Sequence, residues 1–353
     1  MSKYVHKAKK DIGGLVMQND GTTKKYCGLD IGTGNICSAI MRSDKTTEIS
    51  SMRNVFVSVG DTADLGDVNY IKTSDGKSYI FGDHAMVLAN IFGQKCRRPM
   101  ANGVISTSDI DALDVIAIMV ENLIGRGNGD KCCYSIPAPP IDSQMNILYH
   151  TKVFERVLKQ LGYEPIALSQ ATAVCYSQCE NDAFTALIVD TGCGMSNVSL
   201  VYRKNPAIQF STTRGGDWID EQTAYSLGIS APGRVTAIKE KELDLNNPIV
   251  GNKKEKRIRE ALSFYYKDLI RYTLEQISKK FETDCADLEI PEEIPLIISG
   301  GTSKANGYLE FFRDVLQEYE EFPIKIKEIR QATDPLSAVA EGCLIKSISE
   351  SVS

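Results

Sequence analysis

The chain has 353 residues, a net charge of −6 and a pI near 5.4. This length suffices for two domains, and the acidic balance argues against direct nucleic-acid binding. No apolar run approaches the roughly 20 residues of a transmembrane segment, and the lysines near the N-terminus precede no signal-peptide core. We therefore expect a cytoplasmic protein with reduced cysteines, and a flexible N-terminal tail over residues 1–24.

The first half of the chain predicts an α/β fold. Two strand signals flank a glycine-rich turn, and helical spacing of apolar residues follows later. Between them, the polar stretch 60–98 has only short strand signals and predicts a small inserted subdomain. The predicted elements are strands at 26–30 and 36–41, an extended segment from 55, and helices over 109–124, 143–161 and 169–177.

The same order of signals starts again near residue 184, which indicates an internal duplication. Strand, turn and strand come first, and a helix opened by acidic residues follows. The predicted elements of this half are strands at 184–190, 196–202 and 295–299, and helices from 216, over 258–280, over 307–319 and over 337–348.

Two segments share the design Asp-x-Gly-x-Gly, beginning at Asp30 and, 160 positions later (190 − 30), at Asp190. Glycines let backbone N–H groups approach phosphate oxygens, and carboxylates at strand ends hold the waters of a hydrated Mg²⁺. One copy alone fits a tight hairpin turn equally well, but two copies predict a phosphate-binding cleft. The predicted contacts are Gly32, Thr33, Gly34 and Asn35 in the first turn, and Thr191, Gly192, Cys193 and Gly194 in the second.

Further segments carry a resemblance to a known family. They are RNVFVSVG at 53–60, YIFGDHA at 79–85, RPMANGVI at 98–105 and SGGT at 299–302. With the two turns, they resemble the actin superfamily over residues 26–348, and in particular bacterial and archaeal actin-like filament ATPases. The resemblance implies an actin-like ATPase fold of two lobes, each with a duplicated ribonuclease-H-like βββαβα core, and a nucleotide in the cleft between them.

The resemblance also implies domain boundaries. Lobe I would comprise residues 25–177 plus 333–353, with the small subdomain 60–98 inserted. Lobe II would comprise residues 178–332, with a second inserted subdomain at about 220–290.

Gln170 falls where members of this family keep a Gln or Glu that orients the attacking water. An amide is a weak base, but it positions water by hydrogen bonds, which suits phosphoryl transfer. The resemblance therefore implies catalytic roles for Gln170, Asp30 and Asp190, with the two carboxylates binding Mg²⁺ through water.

Other matched positions imply contacts to ATP. They are Lys239 and Glu240 beside the adenosine, Gly300, Gly301 and Thr302 under the adenine and α-phosphate, and Gly216 and Asp217 near the ribose. Cys37 stands where actin keeps a lysine that reaches the phosphates. Lys304 and Ala305 replace the residues that stack beside adenine in actin, so the choice between ATP and GTP stays open.

The function implied is that of a cytoskeletal ATPase that self-associates into filaments with Mg-ATP and hydrolyses it to drive turnover. An unidentified adaptor would connect the filament to a cargo such as an organelle or plasmid, or to control of cell shape. The alternative is a non-polymerising ATPase of the same superfold, either chaperone-like or resembling sugar and acetate kinases.

Overall fold

The computed structural model describes residues 26–42, 44–59, 70–72, 76–91, 93–241, 243–248, 251–284, 290 and 292–352. The predicted tail 1–24 lies outside these residues, and so does part of the predicted subdomain 60–98. None of the helices within these ranges combines the length and the hydropathy needed to cross a bilayer.

Five strands form the first sheet, in the order β10-β9-β1-β2-β3. They are β1 (Tyr26–Ile31), β2 (Asn35–Met41), β3 (Thr47–Arg53), β9 (Asp130–Ile136) and β10 (Tyr163–Ser169). The central strand β1 is antiparallel to β2 and parallel to β9. Its Leu29 and Ile31 are buried on one face, and Gly28 on the other face packs against Ala340, so this central strand is covered on both faces.

The second sheet repeats this arrangement, in the order β13-β12-β11-β14-β15. Its strands are β11 (Ala186–Thr191), β12 (Ser196–Tyr202), β13 (Asn205–Thr212), β14 (Ile294–Ser299) and β15 (Ile326–Gln331). Strand register places Asp30 opposite Cys37 in the first sheet, and Asp190 opposite Asn197 in the second. The predicted duplication is thus present residue by residue around the two turns.

A smaller sheet and a hairpin are inserted after β3. The sheet has the order β4-β6-β5, and helix α1 packs on it through Ala85. The elements are β4 (Phe56–Val59), β5 (Ile71–Lys72), β6 (Ser78–Phe81), α1 (Asp83–Ile91), β7 (Met100–Ala101) and β8 (Val104–Ile105).

Helices cover both large sheets. Helices α2 and α3 contribute to the core of the first sheet, and α5 to α8 contribute to that of the second. Each lobe thus has the predicted βββαβα order, followed by one more strand and helix. The helices are α2 (Ala112–Ile124), α3 (Ile147–Gln160), α4 (Gln170–Gln178), α5 (Gly216–Ser226), α6 (Gly233–Glu240), α7 (Lys253–Asp284), α8 (Tyr308–Gln317) and α9 (Ala338–Val352).

Two helix starts differ from the predicted ones. Helix α3 begins at Ile147 rather than 143, because the Asn146 side chain accepts a hydrogen bond from the Leu148 N–H at 2.8 Å and caps the helix. Helix α2 begins at Ala112 rather than 109. The carboxylate of Asp109 pairs with Arg97 and accepts a hydrogen bond from the Asp111 N–H at 3.0 Å, so a turn precedes the helix.

Helices α4 and α9 lie between the two sheets and exchange partners. Helix α4 follows the first sheet in the chain but packs on β11 and β12, whereas α9 follows the second sheet and packs on β1, β2 and β9. At their contact, a Cβ atom on Gly342 would lie 1.8 Å from the carbonyl oxygen of Ala173. The helices approach this closely only because residue 342 has no side chain.

Replacing Gly342 by alanine is therefore expected to lower the free energy of unfolding by about 1–3 kcal/mol, since the methyl group must displace backbone. Thermal unfolding followed by circular dichroism measures this loss. Gly233→Ala is the matched control, because the structure leaves open space around its Cβ position and α6 gains helix propensity. Equal melting temperatures for the two variants would contradict the close contact.

Candidate functional site

The two Asp-x-Gly-x-Gly turns have the same backbone geometry. The Gly32 N–H donates to the Asn35 carbonyl at 3.0 Å, and the Gly192 N–H donates to the Met195 carbonyl at 2.9 Å. Each turn connects two antiparallel strands at the end of a central strand. The duplicated sequence therefore produces two copies of one loop.

These turns face each other across the space between the sheets. A Cβ atom on Gly34 would lie 2.4 Å from the Cys193 sulfur, and one on Gly194 would lie 2.6 Å from the Thr33 hydroxyl oxygen. The Gly103 N–H, at the tip of the β7–β8 hairpin, also donates to this hydroxyl at 2.9 Å. Both glycines are therefore required for the two turns to meet.

A cleft of about 60 Å³ lies between the turns. It brings together most of the sequence-predicted residues, namely Asp30, Gly32, Thr33, Gly34, Asn35, Gln170, Asp190, Gly192, Cys193, Gly194, Gly300 and Gly301. Three further predicted residues lie behind the cleft lining, namely Thr191, Gly216 and Thr302. The Thr302 hydroxyl donates to the Gly192 carbonyl at 2.9 Å, the Gly216 N–H donates to it at 3.0 Å, and the Thr191 hydroxyl lies 3.3 Å from the Tyr308 hydroxyl.

Asp30 is held at the floor of the cleft by two donors. The Ser135 hydroxyl donates to its Oδ1 at 2.6 Å, and the Gln170 amide donates to the same oxygen at 3.3 Å. Burial nevertheless raises the pKa of Asp30 to about 6, and the two hydrogen bonds oppose this rise. The Asp30 carboxylate is thus buried, and among the described residues no lysine or arginine forms an ion pair with it.

The buried carboxylate of Asp190 has fewer hydrogen-bond donors than that of Asp30. Its side chain is buried, and its Oδ1 has no hydrogen-bond partner among the described residues. Burial, and then the nearby charge of Asp30, raise the pKa of Asp190 to about 7, whereas a hydrogen bond from Ser299 lowers it. Two close carboxylates, one with an unpartnered oxygen, fit a hydrated divalent cation, because its charge and water ligands would satisfy both.

The Gln170 amide is fixed in orientation by a residue that the sequence did not reveal. Asn197 Nδ2 donates to Gln170 Oε1 at 2.6 Å, and the Ala138 N–H donates to Asn197 Oδ1 at 3.0 Å. Gln170 lies at the start of α4 and Asn197 on β12, so this chain of hydrogen bonds joins the two lobes. The 160-residue offset between the two turns is the sequence feature that points to Asn197. It pairs Asn197 with Cys37, which stands where actin keeps its lysine.

Known proteins resemble this chain in sequence and in fold. Residues 26–347 match the family model described as Volactin. The chain belongs to the volactin family. A search of curated proteins gives no match.

Solved structures with the actin-like fold resemble this volactin along nearly its whole length. A MamK double helical filament has a TM-score of 0.66 at 17% identity and covers 93% of this chain and 99% of its own. MreB5 of Spiroplasma citri bound to ADP has a TM-score of 0.62 at 16% identity, with 94% and 98% covered. The ethanolamine utilization protein EutJ from Carboxydothermus hydrogenoformans has a TM-score of 0.54 at 14% identity, with 93% and 91% covered. The predicted actin-like fold is thereby confirmed.

The remaining predicted contacts of this volactin lie outside the cleft lining. Lys239 Nζ donates to the Gly216 carbonyl at 2.7 Å and forms a buried ion pair of 2.8 Å with Asp220. Glu240 pairs with Arg53, and Asp217 pairs with Arg98. Lys239 therefore stabilises the start of α5, and the carboxylates of Glu240 and Asp217 each form an ion pair with an arginine.

Cys37 differs in character from the lysine that it replaces. Its thiol is buried, and burial followed by the charges of Asp30, Asp334 and Glu341 raises its pKa to about 12. It therefore stays neutral and supplies no positive charge.

Proposed function

We propose that this chain is an ATPase of the actin type that binds nucleotide with Mg²⁺ in the cleft between the two turns. The observation that carries the proposal is the pair of buried carboxylates, with one unpartnered oxygen on Asp190, flanked by two facing glycine turns. Similar structures support it, since MreB5 was solved with ADP and with AMPPNP, and a MamK mutant with AMPPNP.

The roles follow from position. Asp30 and Asp190 would hold the water ligands of the metal ion, which supplies positive charge to the phosphates when bound. The N–H groups of both turns would bind phosphate oxygens, and Gln170 would orient the attacking water. Because Asn197 and Asp30 fix both ends of the Gln170 amide, the nucleophile would meet a preorganised partner.

The base would lie near Lys239, Glu240 and the turn Gly300, Gly301 and Thr302, with Gly216 and Asp217 near the ribose. ATP is the nucleotide that the family resemblance favours, and GTP is the alternative. The domain boundaries given by the sequence, at 25–177 plus 333–353 and at 178–332, would correspond to the two lobes on either side of this nucleotide.

The biological role that we propose is nucleotide-dependent assembly into cytoplasmic filaments, with hydrolysis driving turnover. Head-to-tail contacts that do not close into a ring produce filaments, and nucleotide would favour the subunit shape competent for them. The similarity to a MamK filament supports this role. An adaptor would couple the filament to its cargo.

A non-polymerising ATPase is the second candidate, and EutJ is the observation that favours it. That ethanolamine utilization protein has the same fold and covers as much of this chain as the MamK filament does. One fold can host several functions, so the fold alone does not imply filament formation.

Sedimentation with Mg-ATP, Mg-ADP and no nucleotide, with pellets examined by negative-stain electron microscopy, separates the two candidates. Filaments only with Mg-ATP, together with phosphate release, are the expected result. Phosphate release by a protein that stays in the supernatant would support the second candidate, and absence of nucleotide binding would contradict both.

A further inference from the structure

We propose that Arg53 and Arg98 of the first lobe clasp Glu240 and Asp217 of the second, and that this clasp sets the rate at which nucleotide leaves the cleft. The inference rests on the proposed nucleotide binding. It adds two residues that lie outside the glycine turns and gives them a role in retention.

The first of the two ion pairs in the clasp is bidentate. Arg53 ends β3, and its Nη1 and Nη2 donate to Glu240 Oε1 and Oε2, both at 2.9 Å. Its Nε also lies 3.4 Å from Asp83 at the start of α1. Because a bidentate guanidinium–carboxylate pair fixes the orientation of both groups, Arg53 holds α6 against the first sheet.

The second half lies beside the second glycine turn. Arg98 Nη1 donates to Asp217 Oδ2 at 2.7 Å. Asp217 is in the first turn of α5, and its own N–H donates to the Cys193 carbonyl at 2.8 Å. The charges of both arginines also act on the Cys193 thiol. The Arg98–Asp217 pair therefore lies beside Cys193, and both ion pairs connect the two lobes.

The expected effect is moderate. The four side chains are 29–41% exposed, so water and salt weaken each pair. Removing one arginine is expected to speed opening about three- to tenfold, in keeping with partly exposed pairs of good geometry. The two losses should combine in a double variant, because both pairs resist the same opening.

Cys193 reports opening without any nucleotide. Among the described cysteines, only Cys96 and Cys193 are not fully buried. Pulse labelling of the nucleotide-free protein with N-ethylmaleimide, read by peptide mass spectrometry, should show Cys193 reacting about three- to tenfold faster in Arg53→Gln and Arg98→Gln. Burial raises the pKa of this thiol and the charge of Arg98 opposes the rise, so removal of Arg98 alone would slow labelling, and faster labelling therefore reports opening.

Retention is measured by stopped-flow release of a fluorescent ATP analogue. Release should accelerate by the same factors. The exchanged pair Arg53→Glu with Glu240→Arg should restore part of the slow Cys193 labelling, which is measured without nucleotide. Arg271→Gln is the matched control, because its pair with Glu318 also measures 2.9 Å, has 41% and 51% exposed side chains, and joins α7 to Glu318 beside α8, within the second lobe.

The two assays separate the clasp from the function on which it rests. A wild-type protein that binds no nucleotide overturns the proposed function. Unchanged Cys193 labelling in both arginine variants overturns the clasp, whatever the nucleotide result. Faster labelling with unchanged release would overturn the claim that the clasp controls retention.

Discussion

Asp190→Asn is expected to abolish Mg²⁺-dependent nucleotide binding while making the metal-free protein more stable. The amide cannot hold metal-bound water as a carboxylate does, so affinity for Mg-ATP should fall at least about 100-fold. The same change removes a buried charge with an unpartnered oxygen. The melting temperature without metal should therefore rise by about 2–5 °C, as measured by calorimetry.

The pH dependence of stability gives a second readout of the same variant. Burial raises the pKa of Asp190 from 3.8 to about 7, so the folded state binds more protons than the unfolded state between these values. The free energy of unfolding of the metal-free wild type should therefore fall as pH rises from about 4 to 7. Asp190→Asn should flatten this dependence, leaving the smaller contribution of Asp30.

Asp182→Asn is the control for this prediction. The Asp182 side chain is also buried, but it is paired with Arg330 and Lys327, which hold its pKa below the usual value. Its replacement should lower the melting temperature and leave Mg-ATP affinity unchanged. An Asp190→Asn protein that is less stable without metal, or that binds Mg-ATP normally, would contradict the proposed cation site.

Gln170→Ala is expected to slow phosphate release about 100-fold while leaving nucleotide affinity and assembly intact, so that filaments live longer. The reason is that Gln170 would act on the water and not on the nucleotide itself. Single-turnover phosphate release, nucleotide titration and sedimentation measure the three quantities separately. Gln160→Ala on the exposed end of α3 is the matched control, and it should change none of them.

Asn197→Ala tests the same hydrogen-bond chain one step further out. Without the Asn197 amide, Gln170 keeps its bond to Asp30 but can rotate, so hydrolysis should slow by about tenfold, less than in Gln170→Ala. Equal loss of affinity and hydrolysis in both variants would show that Gln170 contributes to binding instead of water positioning.

The turns and the central strands were predictable because each carries an unmistakable local pattern. Asp30 and Asp190 end apolar strands, and glycines follow at fixed spacing, so periodicity and backbone chemistry agree. Strands β9 and β10 were missed. Cys132 and Cys133 are fully buried in β9 and act as small apolar residues, but beside Ser135 they give no continuous apolar run.

The partners of the site residues were not predicted from their own segments, because they arise from contacts between distant segments. Ser135 reaches Asp30 once β9 pairs with β1, and Asn197 reaches Gln170 only once the second sheet packs against α4. The same holds for Glu240, which the fold places opposite Arg53. Neither pairing leaves a signal in either segment alone.

The exchange of α4 and α9 between the sheets has a consequence for folding. Helix α9, at 338–352, covers one face of the first sheet but follows the second sheet in the sequence. Helix α4, at 170–178, covers strands that follow it in the sequence. A fragment holding only the first half of the chain would therefore lack α9 on one face of β1, and one holding only the second half would lack α4 on β11. We expect the lobes to melt in one cooperative transition, and separately expressed halves to regain structure only when mixed.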